Sequence, residues 1–131
     1  MMATGENGSQ QETFAGLKAI LQLYAPQMVI VKDEPGNFYL DTVYRFKNKK
    51  SLFFGAVTIG KSYVSYHLFP LYTCPVLLES LSDGLKERMQ GKSCFNFKKV
   101  DTELFEELAQ LTQAGFERFQ SAAFLEKFCG R

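Results

Sequence analysis

The sequence predicts an α+β domain, in which an antiparallel five-stranded sheet is covered on one face by an N-terminal and a C-terminal helix. Apolar residues recur at helical spacing near both ends of the chain, for example at Leu17, Leu21 and Tyr24. Between these ends the period falls to two, over segments rich in β-branched and aromatic residues. The connections between most of these segments are too short for a parallel crossover, so the strands are predicted to be antiparallel.

The N-terminal helix is predicted to start at Ser9, which forms a capping box with Glu12, and to end before Pro26. Residues 1–9 are therefore predicted to be a disordered leader, and residues 10–131 a single domain. Strands are predicted at residues 28–32, 38–46, 51–59, 63–69 and 93–99.

Short helices are predicted within residues 75–89, broken near Ser82. Asp101 is predicted to cap a long C-terminal helix whose apolar stripe continues to Phe128. The tail of this helix, residues 124–128, is a candidate contact with a second subunit.

The charge and cysteine content exclude several classes of protein. The net charge of +1 lacks the basic excess of a protein that binds nucleic acid through its phosphates. No apolar run is long enough to span a bilayer, and the first residues do not resemble a secretory signal. The cysteines are Cys74, Cys94 and Cys129, an odd and widely spaced set that favours free thiols. We therefore predict a cytoplasmic protein, a monomer or homodimer, that binds neither nucleic acid nor membrane.

Residues 55–62, GAVTIGKS, match the phosphate-binding loop pattern of nucleotide-binding proteins. Such a loop needs a helix that begins at its Lys-Ser pair, so that backbone amides point at a phosphate. Here the pattern of alternating residues predicts a strand on both sides of Gly60-Lys61-Ser62. The same GKS tripeptide at residues 91–93 also precedes a predicted strand. The motif therefore indicates a turn rather than a nucleotide site.

Residues 60–119 resemble the YdhG-like family of small bacterial domains of unknown function. The resemblance rests on SYVSYHLFP at residues 62–70, GKSCFNF at 91–97 and DTELFEEL at 101–108, and covers about half of the chain. It implies a frataxin-like arrangement, with the sheet beneath the two terminal helices.

The resemblance also implies one function, that of an iron-binding chaperone. Frataxins carry an acidic ridge on the first helix and first strand, whereas Glu12 is the one acidic residue of the helix predicted here. Asp33 and Glu34, with Asp41 across the predicted hairpin, form the nearest group of carboxylates. Hard cations need several oxygen ligands close together, so these three residues are the candidate iron site.

The fourth and fifth predicted strands carry polar residues that can share one face. Alternation places Tyr63, Ser65 and His67 opposite the apolar face of the fourth strand. If the fifth strand lies beside it, Cys94 and Asn96 join them. Donors, acceptors and a thiol in one patch are what a small-molecule site needs. Our leading hypothesis is a non-enzymatic domain without a cofactor, which binds a small ligand or a partner protein on this face.

Two further hypotheses use the same patch. A cysteine-dependent enzyme would need Cys94 and His67 within hydrogen-bond reach, and a third group to orient the imidazole. A zinc site of His67, Cys74 and Cys94 lacks both paired spacing and an evident fourth ligand.

Basic residues near the predicted strand ends are candidates for an anionic ligand or partner. They are Arg45, Lys61 and Lys92. Lysines at turns and edges also discourage sheets from aggregating, which is the simpler interpretation.

Overall fold

The computed structural model describes residues 5–121 and 127. Its helices are α1 (Gly5–Gln22), α2 (Pro70–Thr73), α3 (Asp83–Lys86) and α4 (Thr102–Gln120), with 3₁₀ turns at Ala25–Gln27 and Pro75–Leu78. Its strands are β1 (Val29–Glu34), β2 (Asn37–Arg45), β3 (Ser51–Ile59), β4 (Val64–Leu68) and β5 (Cys94–Phe97). They form one sheet in the order β1-β2-β3-β4-β5, and every neighbouring pair is antiparallel. The predicted α+β class and five-stranded antiparallel sheet are confirmed.

The helix ends differ from the prediction. α1 begins at Gly5 rather than Ser9, so residues 5–9 of the predicted leader belong to a helix. No proline lies between these positions, and each further helical residue adds a backbone hydrogen bond once a helix has started. Residues 1–4 lie outside the described residues.

At the other end of the chain, α4 stops at Gln120 instead of continuing to Phe128. Ser121 takes an extended backbone conformation, and its hydroxyl donates a hydrogen bond to the carbonyl oxygen of Arg118. Apart from Lys127, the tail predicted to contact a second subunit lies outside the described residues. The predicted start is confirmed, because an oxygen of Asp101 accepts a hydrogen bond from the Leu104 amide at 3.1 Å.

The helices cover one face of the sheet and enclose the core there. α1 packs on β3 and β4 and against α4. The fully buried residues include Leu17 and Leu21 of α1, Phe38 and Leu40 of β2, Phe54 of β3, Tyr66 and Leu68 of β4, Phe95 of β5, and Leu108 and Phe119 of α4. Alternation along each strand places its remaining residues on the opposite surface, which we call the outer face.

A β-bulge in β3 places two successive residues on the helix side. Leu40 pairs with Gly55 and Asp41 with Phe53, so Phe54 is an extra residue in the ladder. Phe54 is fully buried, and its ring meets that of Tyr24 just after α1 and those of Phe116 and Phe119 in α4. A Cβ atom at Gly55 would lie 2.9 Å from the carbonyl oxygen of His67 and 3.0 Å from Leu21. Glycine is therefore the residue that lets α1 approach the sheet at this point.

The two edge strands of the sheet, β1 and β5, differ in whether their outer edges are hydrogen-bonded. The outer edge of β5 is paired with residues 88–90, since the Asn96 amide donates to the Arg88 carbonyl and the Gln90 amide donates to the Cys94 carbonyl, both at 2.8 Å. The outer edge of β1 has no such partner among the described residues. Val29, Ile30 and Val31 on this edge are about half exposed. A salt bridge of 2.8 Å between Lys18 and Asp33 ties β1 to α1.

Candidate functional site

The outer face presents a mostly polar surface across four strands. Strand pairing aligns Asn37, Thr58, Ser65 and Asn96 in one row, and Tyr39, Ala56, His67 and Cys94 in the next. Neighbouring side chains in a row are separated by one strand spacing, about 4.8 Å. A ligand of modest size can therefore contact several of them at once.

The quartet predicted from β4 and β5 does come together. The Ser65 hydroxyl donates a hydrogen bond of 2.7 Å to Oδ1 of Asn96. The sulfur of Cys94 lies 3.8 Å from Nε2 of His67 and 3.8 Å from Oδ1 of Asn96. Tyr63 lies just before β4, with the ammonium group of Lys98 5.4 Å from its ring centroid. These residues form a continuous patch on the last two strands.

Sequence reasoning missed the contribution of β2 and β3 to this surface. Oδ1 of Asn37 is buried and has no hydrogen-bond partner among the described residues. Ala56 is almost fully buried between Tyr39 and His67 in its row. The alternation in β2, polar at Asn37 and buried at Phe38, was the signal that could have located this part of the face.

Burial shifts the ionisation of three groups on the outer face towards their neutral forms. It lowers the pKa of His67, which favours the neutral imidazole. It also raises the pKa of the Cys94 thiol, and the Ser65 hydroxyl opposes this shift only in part. Burial likewise raises the pKa of the Asp41 carboxyl, which lies on the same face. A thiolate–imidazolium pair of the kind used by cysteine enzymes is therefore disfavoured here.

We expect Cys94 to react more slowly with iodoacetamide at pH 7 than a cysteine in an unfolded chain, because its raised pKa reduces the thiolate fraction. The rate should rise as the pH passes above the ordinary thiol range. Peptide mass spectrometry of the folded protein, with the urea-unfolded protein as reference, gives both rates. Faster alkylation of Cys94 in the folded protein at pH 7 would contradict this expectation and support the enzyme hypothesis.

The three basic candidates are spread over the sheet rather than gathered. Nη1 of Arg45 donates to the carbonyl oxygen of Lys49, inside the β2–β3 hairpin. Lys61 lies in the turn before β4, whereas Lys92 precedes β5. Since β4 and β5 are antiparallel, Lys61 and Lys92 lie at opposite ends of this strand pair. They do not form one anion site.

The three acidic candidates are also separated. Asp33 pairs with Phe38 and reaches Lys18 on the helix side, whereas Glu34 pairs with Asn37 on the outer face. Asp41 lies on the other strand of the hairpin, as predicted, but it pairs with Val29 at the far end of β1, so the predicted grouping of the three carboxylates is wrong.

No metal cluster is found in the part of the chain that the structure describes. Within it, no three or more His, Cys, Asp or Glu residues are grouped so that they could hold a metal ion. This covers both the acidic candidates and the proposed zinc set of His67, Cys74 and Cys94. No described helix is long and apolar enough to cross a membrane.

Comparison with known proteins finds no match among family models, curated proteins or solved structures. The YdhG-like resemblance and the iron-binding role that it implies therefore stay predictions.

Proposed function

We propose that this protein is a non-enzymatic binding domain that holds a small uncharged ligand on the outer face of its sheet. The observation that carries the proposal is the buried Oδ1 of Asn37, which lacks a hydrogen-bond partner among the described residues. Leaving such an acceptor unsatisfied costs about 1–3 kcal/mol, and nearly all buried polar groups in proteins have partners. A ligand that displaces the side chains covering this atom and donates a hydrogen bond to it would remove this cost.

The neighbouring residues favour a planar, neutral ligand. Ala56 has the smallest side chain of its row, where it lies between the larger Tyr39 and His67. The Tyr39 ring stacks on Phe53 with centroids 4.7 Å apart, which gives the site an aromatic wall. Ser65 and the neutral His67 supply further hydrogen-bonding groups. Small amides and heteroaromatic rings combine a flat apolar body with N–H donors, and they fit this set of contacts.

The other hypotheses receive less support. The Cys94–His67 pair is close, but the pKa shifts of both groups favour their neutral forms, so nucleophilic catalysis is not our proposal. An iron-binding role would have to work without the acidic group predicted for it, because Asp33 and Asp41 lie far apart on β1 and β2. Cys74 and Cys94 are free thiols, which fits the cytoplasmic location that we also propose.

Two-dimensional ¹H–¹⁵N NMR against a library of neutral amides and nucleobases tests the proposal. Binding should shift the amide signals of Asn37, Ala56, Ser65 and Asn96 together. Ala56→Leu places a larger side chain between Tyr39 and His67, so it should abolish these shifts. Because Ala56 is almost fully buried, the larger side chain should also lower the thermal unfolding midpoint, and binding is compared well below that midpoint. Val31→Leu adds bulk on the exposed edge of β1 and should leave binding intact.

The proposal fails if no compound shifts these signals, or if the shifts survive in Ala56→Leu. Native mass spectrometry of gently purified protein gives an independent check. A retained organic molecule that is lost in Ala56→Leu would identify the ligand, whereas a retained iron ion would support the chaperone alternative. A co-purified protein lost in the same variant would show that a partner protein occupies the face.

A further inference from the structure

A second concave site lies where β5 leads into α4, apart from the row of Ser65 and Asn96. It is a cavity of about 390 Å³, and its described lining residues are Arg88, Phe97, Lys98, Lys99 and Asp101. We call it the basic cavity. Lys98 also contacts Tyr63 in the patch described above, but none of the lining residues belongs to the site of Asn37, Ala56 and His67, so this site stands or fails independently of that function.

The fold holds the backbone around the basic cavity in place from two sides. Arg88 is fixed beside β5, because its carbonyl oxygen accepts a hydrogen bond of 2.8 Å from the Asn96 amide. Phe97 is buried, and its ring meets that of Phe105 edge to face with centroids 5.0 Å apart. Lys98 and Lys99 follow Phe97 directly and so leave the sheet at an anchored point. Three cationic residues thus border one cavity because of the sheet and the core beneath it.

Within the described lining of the basic cavity, the charges of Arg88 and Lys99 are not balanced by a carboxylate that is free to pair with them. Asp101 is the one carboxylate of this lining, and one of its oxygens already accepts the Leu104 amide at the start of α4. Among the described residues, Arg88 and Lys99 form no ion pair. A cavity with this excess of positive charge attracts an anion, and its concave walls focus that attraction.

We propose that the basic cavity binds the phosphate group of a small phosphorylated molecule. The guanidinium group of Arg88 presents a planar fork of donors that matches two phosphate oxygens. Lys99 adds a compact charge to the same lining, whereas the ammonium group of Lys98 lies 5.4 Å from the Tyr63 ring centroid. Two cationic groups, Arg88 and Lys99, suit a dianionic monoester better than a singly charged carboxylate. A volume of about 390 Å³ exceeds that of a phosphate group alone and leaves space for part of the attached molecule.

The first experiment follows amide NMR shifts on titration with glycerol phosphate or inorganic phosphate, at constant ionic strength held with sodium chloride. Residues 88 and 97–101 should shift in a saturable way. The double variant Arg88→Gln/Lys99→Gln should weaken binding by about tenfold or more, as loss of charge-assisted hydrogen bonds implies. Lys47→Gln/Lys50→Gln removes the same charge from the β2–β3 hairpin and should change the affinity less than about twofold.

Asp101→Asn gives a test in the opposite direction. Asparagine caps a helix as well as aspartate does, so α4 should stay intact while a negative charge leaves the cavity. Phosphate should therefore bind several-fold more tightly to this variant. Unchanged or weaker binding would overturn the proposal.

Three other results would also overturn it. Equal weakening in the two double variants would show that only net charge matters, and equal shifts with acetate would show that the cavity does not select phosphate. Tighter binding of a single-stranded RNA, with affinity falling steeply with salt, would assign the site to nucleic acid.

Co-sedimentation with vesicles containing phosphatidic acid distinguishes the two sources of a phosphate monoester. Binding to these vesicles assigns the monoester to a lipid headgroup, and binding of glycerol phosphate alone assigns it to a soluble molecule.

Discussion

Replacing Phe54 with alanine is expected to lower the free energy of unfolding by about 3–5 kcal/mol, the largest effect that we predict for a single side chain. Phe54 is fully buried between α4 and the turn that follows α1, with its ring centroid 5.8 Å from that of Tyr24 and 6.1 Å from that of Phe119. Alanine would leave a cavity where three elements meet. Urea-induced unfolding followed by circular dichroism measures the loss.

Phe53→Ala provides a matched control, because the same atoms are removed one residue earlier in β3. Phe53 lies on the outer face, half-buried and stacked on Tyr39. We expect this change to cost only about 1–2 kcal/mol. Equal losses for the two variants would contradict the assignment of Phe54 to the helix side and Phe53 to the outer face.

The second large effect concerns a hydrogen bond inside the core. The hydroxyl groups of Tyr66 and Thr112 lie 2.5 Å apart, and the Thr112 hydroxyl donates to the carbonyl oxygen of Leu108 at 2.7 Å. Since the single hydrogen of Thr112 is used in that bond, Tyr66 must be the donor to Thr112. Burial raises the pKa of Tyr66, so its hydroxyl stays protonated and available as this donor.

Thr112→Val is therefore expected to destabilise the protein by about 2–3 kcal/mol, because it leaves the buried Tyr66 hydroxyl without a partner. Tyr66→Phe should cost only about 1 kcal/mol, since Thr112 keeps its bond to Leu108. The double variant should recover part of the loss seen in Thr112→Val, as both polar partners are then gone. Thermal unfolding of the three variants gives the comparison. A greater loss in Tyr66→Phe than in Thr112→Val would reverse the assigned direction of the hydrogen bond.

Local patterns in the sequence were enough to predict the sheet and the β4–β5 part of the candidate site. The alternation of Ser65 and His67 with buried neighbours defines a face within one strand, and β5 follows as the next antiparallel partner. The contribution of Asn37 and Ala56 to the candidate site could not be predicted, because it depends on the register between β2, β3 and β4. That register includes a bulge at Phe54, which tertiary packing decides rather than local pattern.

The wrong prediction that Asp41 lies close to Asp33 and Glu34 has a local cause, at the turn between β1 and β2. The predicted strands at residues 28–32 and 38–46 leave five residues for the turn between them, whereas the structure turns at Pro35-Gly36 alone. Gly36 has φ of 87°, a conformation that suits glycine at the third position of a tight turn after proline. With Glu34 paired to Asn37, Asp41 lies four residues after Asn37 along β2 and pairs with Val29, so grouping it with the carboxylates at the turn was the error.

The unequal edges of the sheet limit how copies of this chain can assemble through their strands. Growth of a fibril by edge-to-edge pairing requires two free edges on each copy, one to accept and one to offer. Residues 88–90 already occupy one of them by pairing with β5, and within the described residues only β1 is left. Two copies joined at β1 would form a closed pair with no strand left to add a third. The short segment beside β5 therefore acts as a terminator of strand-mediated assembly.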